Sequence, residues 1–279
     1  MLELDWSDAM KFGMPTLIEL YSLEDTMKLC KELGLHFVEI NMNLPQYQLD
    51  NLEKTDYLKE LKDVYQLFYT LHLDENLNVS DFNPLVAQAY METVERAIGA
   101  SKKLDIKILN MHMNHGVHFT LPDKKVKLFE QYKDNYLESI IRFRDRCEKA
   151  VGDDDISICI ENTDGFTTYE KEAIEFLLQS KVFALTWDIG HSNSSGNVDE
   201  AFIMKNEERL RHFHIHDGAN KADHMTLGTG EINLIQRLNL AKLHNCRCVI
   251  ETKTIEALKQ SVKWLKENKY LKVENEGLE

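Results

Sequence analysis

Apolar residues gather along the chain in eight short runs, near residues 12–19, 36–42, 67–73, 106–112, 156–161, 182–188, 212–217 and 247–252. Each run has the length of a strand, and the near-continuous hydrophobicity predicts burial on both faces. The longer stretches between them repeat apolar positions at helical spacing. After Ser22, the residues Leu23, Met27 and Cys30 share one face, with Ser22 and Asp25 suggesting a capping box and Gly34 a C-terminal stop. Helices are predicted over 52–64, 83–103 with Pro84 in the first turn, 124–150, 168–179, 197–210 and 231–244. A last helix is capped by Thr254 and lines up Ile255, Leu258, Val262 and Leu265. Strand and helix alternating to the end imply a parallel sheet. No Ser-, Gly- or Pro-rich linker interrupts them, so residues 1–279 are read as one domain.

Alternation alone leaves a closed barrel and an open, doubly wound sheet. A doubly wound nucleotide binder needs a glycine-rich turn after its first strand, and Met14-Pro15-Thr16 opens no such turn. A (β/α)8 barrel instead places reactive groups at the C-terminal ends of many strands. That is what the polar residues do: His72, His112, Glu161, Asp188 with His191, His214 with His216, and Glu251 each close an apolar run. A carboxylate beside a core is costly unless a cation or dense hydrogen bonding compensates it. Lys253, two residues past Glu251, is the one obvious local cation. A shared divalent metal centre therefore explains six strand ends at once, and carboxylates with imidazoles suit zinc, manganese, iron or cobalt. His212 shares the strand face of His214 and His216 and is placed deeper, as a donor behind the ligands; His216 is the alternative ligand on that strand.

Composition narrows the partners. With 33 basic and 47 acidic residues the formal charge is −14, and 43% hydrophobic with 29% charged residues excludes a disordered chain or a coiled coil. No run of about 18 apolar residues and no basic-then-apolar leader is present, so a cytoplasmic protein without membrane partners is expected. The five cysteines, Cys30, Cys147, Cys159, Cys246 and Cys248, are scattered in apolar segments as reduced thiols would be. The spacing of Cys246 and Cys248 puts both on one strand face and does not fit a metal knuckle. Residues 41–50 and 192–200, both expected at the barrel mouth, contain no Lys or Arg, which disfavours nucleic acid. Arg142, Arg144 and Arg146 fall in a predicted helix, on a solvated face. Gly228 and Gly230 fit a tight turn or a backbone approach to phosphate, and His115 and His118 read as loop residues.

Several segments together resemble one family. Ile158-Cys-Ile-Glu-Asn-Thr163, Trp187-Asp-Ile-Gly-His191, His214-Ile-His-Asp217, Asp223-His-Met-Thr-Leu-Gly-Thr-Gly-Glu231 and Val249-Ile-Glu251 are similar to the xylose-isomerase-like TIM barrels. These include sugar and sugar-phosphate isomerases and epimerases and the endonuclease IV type of abasic-site nuclease. The epimerase resemblance implies one divalent ion (Mn, Zn or Co) on Glu161, Asp188, His214 and Glu251. It implies Glu161 and Glu251 as the acid and base that pass a proton through an enediolate, with His191 on the substrate. His72, His112, His216, Lys221, His224 and Lys253 complete the expected substrate contacts. Asn220 and Lys221 stand where such epimerases carry an arginine.

The nuclease resemblance implies three zinc ions. His72, His112 and Glu161 would hold the first, Glu161 would bridge to a second on Asp188, His214 and Glu251, and His191 with an Asp-x-His pair would hold the third. Here Ala222 occupies that aspartate position. The expectation is a metal-dependent isomerase or epimerase of a small sugar or sugar phosphate. An endonuclease IV-like phosphodiesterase is the alternative, and a dehydratase or lyase would use the same carbon-acid chemistry. Self-association into a homo-oligomer would be in keeping with such a barrel.

Overall fold

The computed structural model describes residues 10–272. Eight parallel strands close into a barrel: β1 (Lys11–Pro15), β2 (Phe37–Asn41), β3 (Phe68–His72), β4 (Ile108–His112), β5 (Ser157–Glu161), β6 (Phe183–Asp188), β7 (Leu210–Ile215) and β8 (Arg247–Ile250), with β8 pairing back onto β1. Outside lie α1 (Leu23–Glu32), α2 (Thr55–Tyr65), α3 (Pro84–Leu104), α4 (Lys133–Val151), α5 (Thr168–Leu177), α6 (Glu200–Lys205), α7 (Leu234–Leu243) and α8 (Ile255–Glu267). Each of the eight predicted runs contains or overlaps one of these strands.

The caps behave as elementary hydrogen bonding requires. Ser22 Oγ accepts the Asp25 amide at 3.0 Å, while its hydroxyl donates to the Asp25 carboxylate at 2.6 Å, so the reciprocal arm closes on the hydroxyl and not on the backbone. Gly34 takes φ +74°, the left-handed stop its position predicts. Two helix spans differ from expectation. The segment expected to begin a helix at 124 instead forms a hairpin, His118–Thr120 with Lys125–Lys127, then a short helix Leu128–Gln131, before α4 starts at Lys133. Lys125-Val126-Lys127 has period two, and this local alternation decides the conformation. The span expected over 197–210 is helical only in α6 and a short 3-10 turn, Glu207–Arg209, and Leu210 already belongs to β7.

Successive residues of a strand point to opposite faces, and here the two faces have different chemistry. Outward residues such as Val38, Ile40, Ile158, Ile160, Phe213 and Ile215 pack against the helices in one continuous apolar core. Inward, Phe37 and Phe68 stack at 5.0 Å to floor the barrel, with the Arg247 guanidinium 4.9 Å from the Phe68 ring. A small separate cluster of Ile108, Cys159 and Ala184 lies among the inward residues. The remaining inward positions, towards the C-terminal mouth, are largely polar. All five cysteines are buried and free, and burial pushes their thiols up, so none offers a thiolate at neutral pH. No helix among the described residues is long and apolar enough to cross a membrane.

Candidate metal centre

The polar interior begins with a residue the sequence reading passed over. Glu39 sits in the middle of β2, between the outward Val38 and Ile40, and is only 1% exposed. One carboxylate oxygen receives the Thr70 hydroxyl at 2.9 Å and His212 Nε2 at 2.8 Å, and the other lies 2.7 Å from His214 Nε2. Burial opposes its charge, but His214 and His212 outweigh burial and hold the carboxyl far below its usual range. His212, fully buried, is thus the deep donor its position on β7 predicts. The signal for Glu39 was available in the period-two set Phe37, Glu39, Asn41.

Directly above, Glu161, Asp188, His214 and Glu251 each offer a donor atom, all within 4.8 Å of one another. His214 presents Nδ1 to this group: 2.9 Å from Glu251 Oε2, 3.2 Å from Glu161 Oε1 and 4.0 Å from Asp188 Oδ2. Lys253 Nζ holds the other oxygen of Glu251 at 2.8 Å. Burial opposes ionisation of Glu161 and of Glu251, yet the His214 ring above all holds both carboxyls well below the usual range. Those carboxylates and Glu39 in turn push the His214 imidazole well above its ordinary value against the effect of burial. Three carboxylates concentrated on one Nδ1 attract positive charge, and a divalent cation meets that demand better than a single proton. Glu251 Oε2, His191 Nδ1 and His112 Nε2 are moreover buried beside ionic neighbours but without an aligned hydrogen bond, as ligands short of an ion are, and the same holds of His214 Nε2 beside Glu39. The donor set fits a divalent metal.

The other predicted residues surround this group. Glu161 divides its two oxygens: Oε1 faces His214 and His191, while Oε2 faces His112 Nε2 at 3.2 Å and His72 Nε2 at 3.4 Å and receives the Asn110 amide. Asn110 in turn accepts the Thr186 hydroxyl at 2.5 Å. On the opposite flank His191 lies 3.4 Å from Asp188, and its ring meets those of His216 and His224 edge-on. His216 has both nitrogens engaged, accepting the His224 amide at Nδ1 at 2.7 Å and contacting Asp188 through Nε2 at 3.0 Å. Gly190 makes room for that ring, since a Cβ there would fall inside it. His224 is turned towards the site by donating Nδ1–H to the Glu251 carbonyl at 3.0 Å. Lys221 stands apart, exposed on the turn of the hairpin Asp217–Ala219 and Ala222–Met225.

Two loop readings change. The amides of Gly228 and Gly230 both donate to Asp217 Oδ2 at 2.9 Å, and those of Gly218 and Ile232 donate to Oδ1. A buried carboxylate already fills the concavity a phosphate would need. His115 is no idle loop residue either: its ring bridges Glu170 and Asp164, each at 2.6 Å, tying the loop after β4 to the start of α5. Arg146 likewise is not simply solvated, since it makes a bidentate pair with Glu95 on α3.

Residues 27–268 match the family model described as the xylose isomerase-like TIM barrel, and the chain belongs to that family. It is similar to an uncharacterized protein of Methanocaldococcus jannaschii, 29% identical over 285 residues, a match covering 97% of this chain and 92% of the relative. Among solved structures it resembles a D-tagatose 3-epimerase-like protein at 27% identity and a TM-score of 0.74, covering 92% of this chain and 96% of the other. The fold of the IOLI protein with a binding zinc atom also matches, at 15% identity and a TM-score of 0.69 over 94% of this chain and 98% of the other.

Proposed function

We propose that this chain is a divalent-metal-dependent isomerase or epimerase of a small sugar, working through an enediolate. The observation that carries this reading is the convergence of Glu161, Asp188, His214 and Glu251 within 4.8 Å at the barrel mouth, with one glutamate closing β5 and the other directly following β8. The likeness to a D-tagatose 3-epimerase-like protein and the zinc named for the IOLI structure support it. Glu161, Asp188, His214 and Glu251 would hold the ion. When bound, the ion supplies polarisation of adjacent carbonyl and hydroxyl oxygens, which acidifies the hydrogen on the carbon between them.

The protein's own groups do the rest. One of Glu161 and Glu251 removes that hydrogen as a proton, and the other returns a proton to the opposite face or the neighbouring carbon. Lys253 holds Glu251 Oε1 and so orients the carboxylate, whose Oε2 faces the ion site. His72, His112, His191 and His224 ring the site and hydrogen-bond the substrate hydroxyls. His216 acts from behind, holding Asp188, and Lys221 can reach substrate only at the rim. With the glycine amides taken by Asp217, a phosphate on the sugar would depend on those two lysines.

One feature favours a second reading, the endonuclease IV-like abasic-site phosphodiesterase. His72 and Glu161 together with His214, and separately His191, His216 and His224, form further groups able to ligate an ion. Elemental mass spectrometry on protein purified without chelator, followed by ketose and ketose-phosphate panels, tests both. About one ion per chain with carbon-epimerised or isomerised product is expected. Two or three zinc ions with cleavage of an abasic-site duplex would replace the first reading with the second.

A further inference from the structure

We infer that Glu39 is a positioning residue for the metal centre: by accepting Nε2–H of His214, it fixes the tautomer that leaves Nδ1 free to ligate. The inference rests on the metal reading above and adds a residue one layer beneath the ligands. With an ion on Nδ1, the nitrogen that faces Glu161, Asp188 and Glu251, the ring's one proton would sit on Nε2, which lies 2.7 Å from Glu39 Oε1. A ring nitrogen that donates to a carboxylate is held in orientation and made a more basic ligand at the other nitrogen.

Glu39 is in turn fixed. Thr70 Oγ1 and His212 Nε2 both bind its Oε2, which leaves Oε1 for His214 alone. A buried carboxylate serving only the core would gain nothing from pointing an oxygen at a residue of the ligand cluster. It would also be the costliest way to fill the space, since an apolar side chain of similar volume serves as well.

Zinc and manganese affinity of Glu39→Gln, measured by competition with a chromophoric chelator, tests this. A 10–100-fold loss is expected, the range for removing an outer partner of a metal-bound histidine. The metal-free variant should melt lower than the wild type, because His212 and His214 lose their buried carboxylate, so affinities are compared at a temperature where both remain folded. Thr70→Val, which frees Glu39 without touching its charge, covers the case in which the first variant fails to fold. It should weaken binding about threefold to tenfold.

In zinc-loaded protein with 15N-labelled histidine, the His214 Nε2–H proton should resonate far downfield and move upfield in both variants, which loss of packing alone would not cause. Wild type that takes up no metal overturns the metal reading and this inference with it. Wild type that binds metal while Glu39→Gln binds it within twofold overturns this inference alone.

Discussion

The two faces of the same eight strands are built on opposed physics. Outward, Phe12, Val38, Ile160, Trp187 and Ile250 are buried against helices, and every contact is favourable without a partner of specified charge. Inward, Glu39, Glu161, Asp188, His212 and His214 are equally buried, yet each is tolerable only because another group of the set faces it. The outward face is the source of stability. The inward face holds the chemistry and draws on that stability, which is why stripping one of its members should change function more than folding.

The sharpest break of this contrast is Glu251→Gln. Turnover should fall about 10²–10⁴-fold, the usual contribution of a positioned acid or base, with a fall in the denaturation midpoint set by the weakened metal site; steady-state assays beside urea melts would show it, and unchanged turnover would take Glu251 out of the proposed chemistry. Ile160→Ala is the converse. This fully buried outward residue should cost about 2–5 kcal/mol in chemical denaturation and leave metal affinity intact, since its strand neighbour Glu161 keeps its partners. Chelation addresses the inward face as a whole: if the donor set holds an ion, removing it should lower stability by about 2.7 kcal/mol for each hundredfold excess of metal over its dissociation constant, seen as a metal-dependent melting temperature. A melting temperature indifferent to chelator would count against the centre.

The smallest effect belongs to His115, outside both faces. Its pKa is raised from the usual 6.5 to about 9 by hydrogen bonds to Glu170 and Asp164. A raised folded-state pKa gives stability that is complete below about pH 6.5 and is lost as pH climbs towards 9. Because the ring is about one-third exposed, solvent screening keeps this contribution small. Stability measured across that window should slope downward in the wild type and more weakly in His115→Gln; equal slopes would mean the clasp contributes nothing.

The outward face was legible in the sequence almost completely. Its apolar runs are local patterns, so all eight strands could be placed within a few residues, and Ser22, Asn83 and Thr254 cap their helices through contacts a few residues away. Misplacement occurred where local period changed inside a loop, as at Lys125-Val126-Lys127. The strand-end residues were legible too, because a polar group closing an apolar run is visible by itself.

Partnership was not. Glu39 and His214 lie on strands far apart in the chain, and nothing near either residue states that they meet. The glycine amides after Leu227 could serve a turn or a phosphate until Asp217 was found among them. Sequence alone thus determined which segments are buried and that acidic and imidazole groups crowd one end of the barrel. Only closure of the sheet, which brings β2, β5, β6, β7 and β8 around one axis, decided which nitrogen of His214 faces the carboxylates and which faces Glu39. Hydrophobic burial is non-directional and can be read from composition along a strand, whereas a hydrogen-bonded charge network exists only once distances and angles are set.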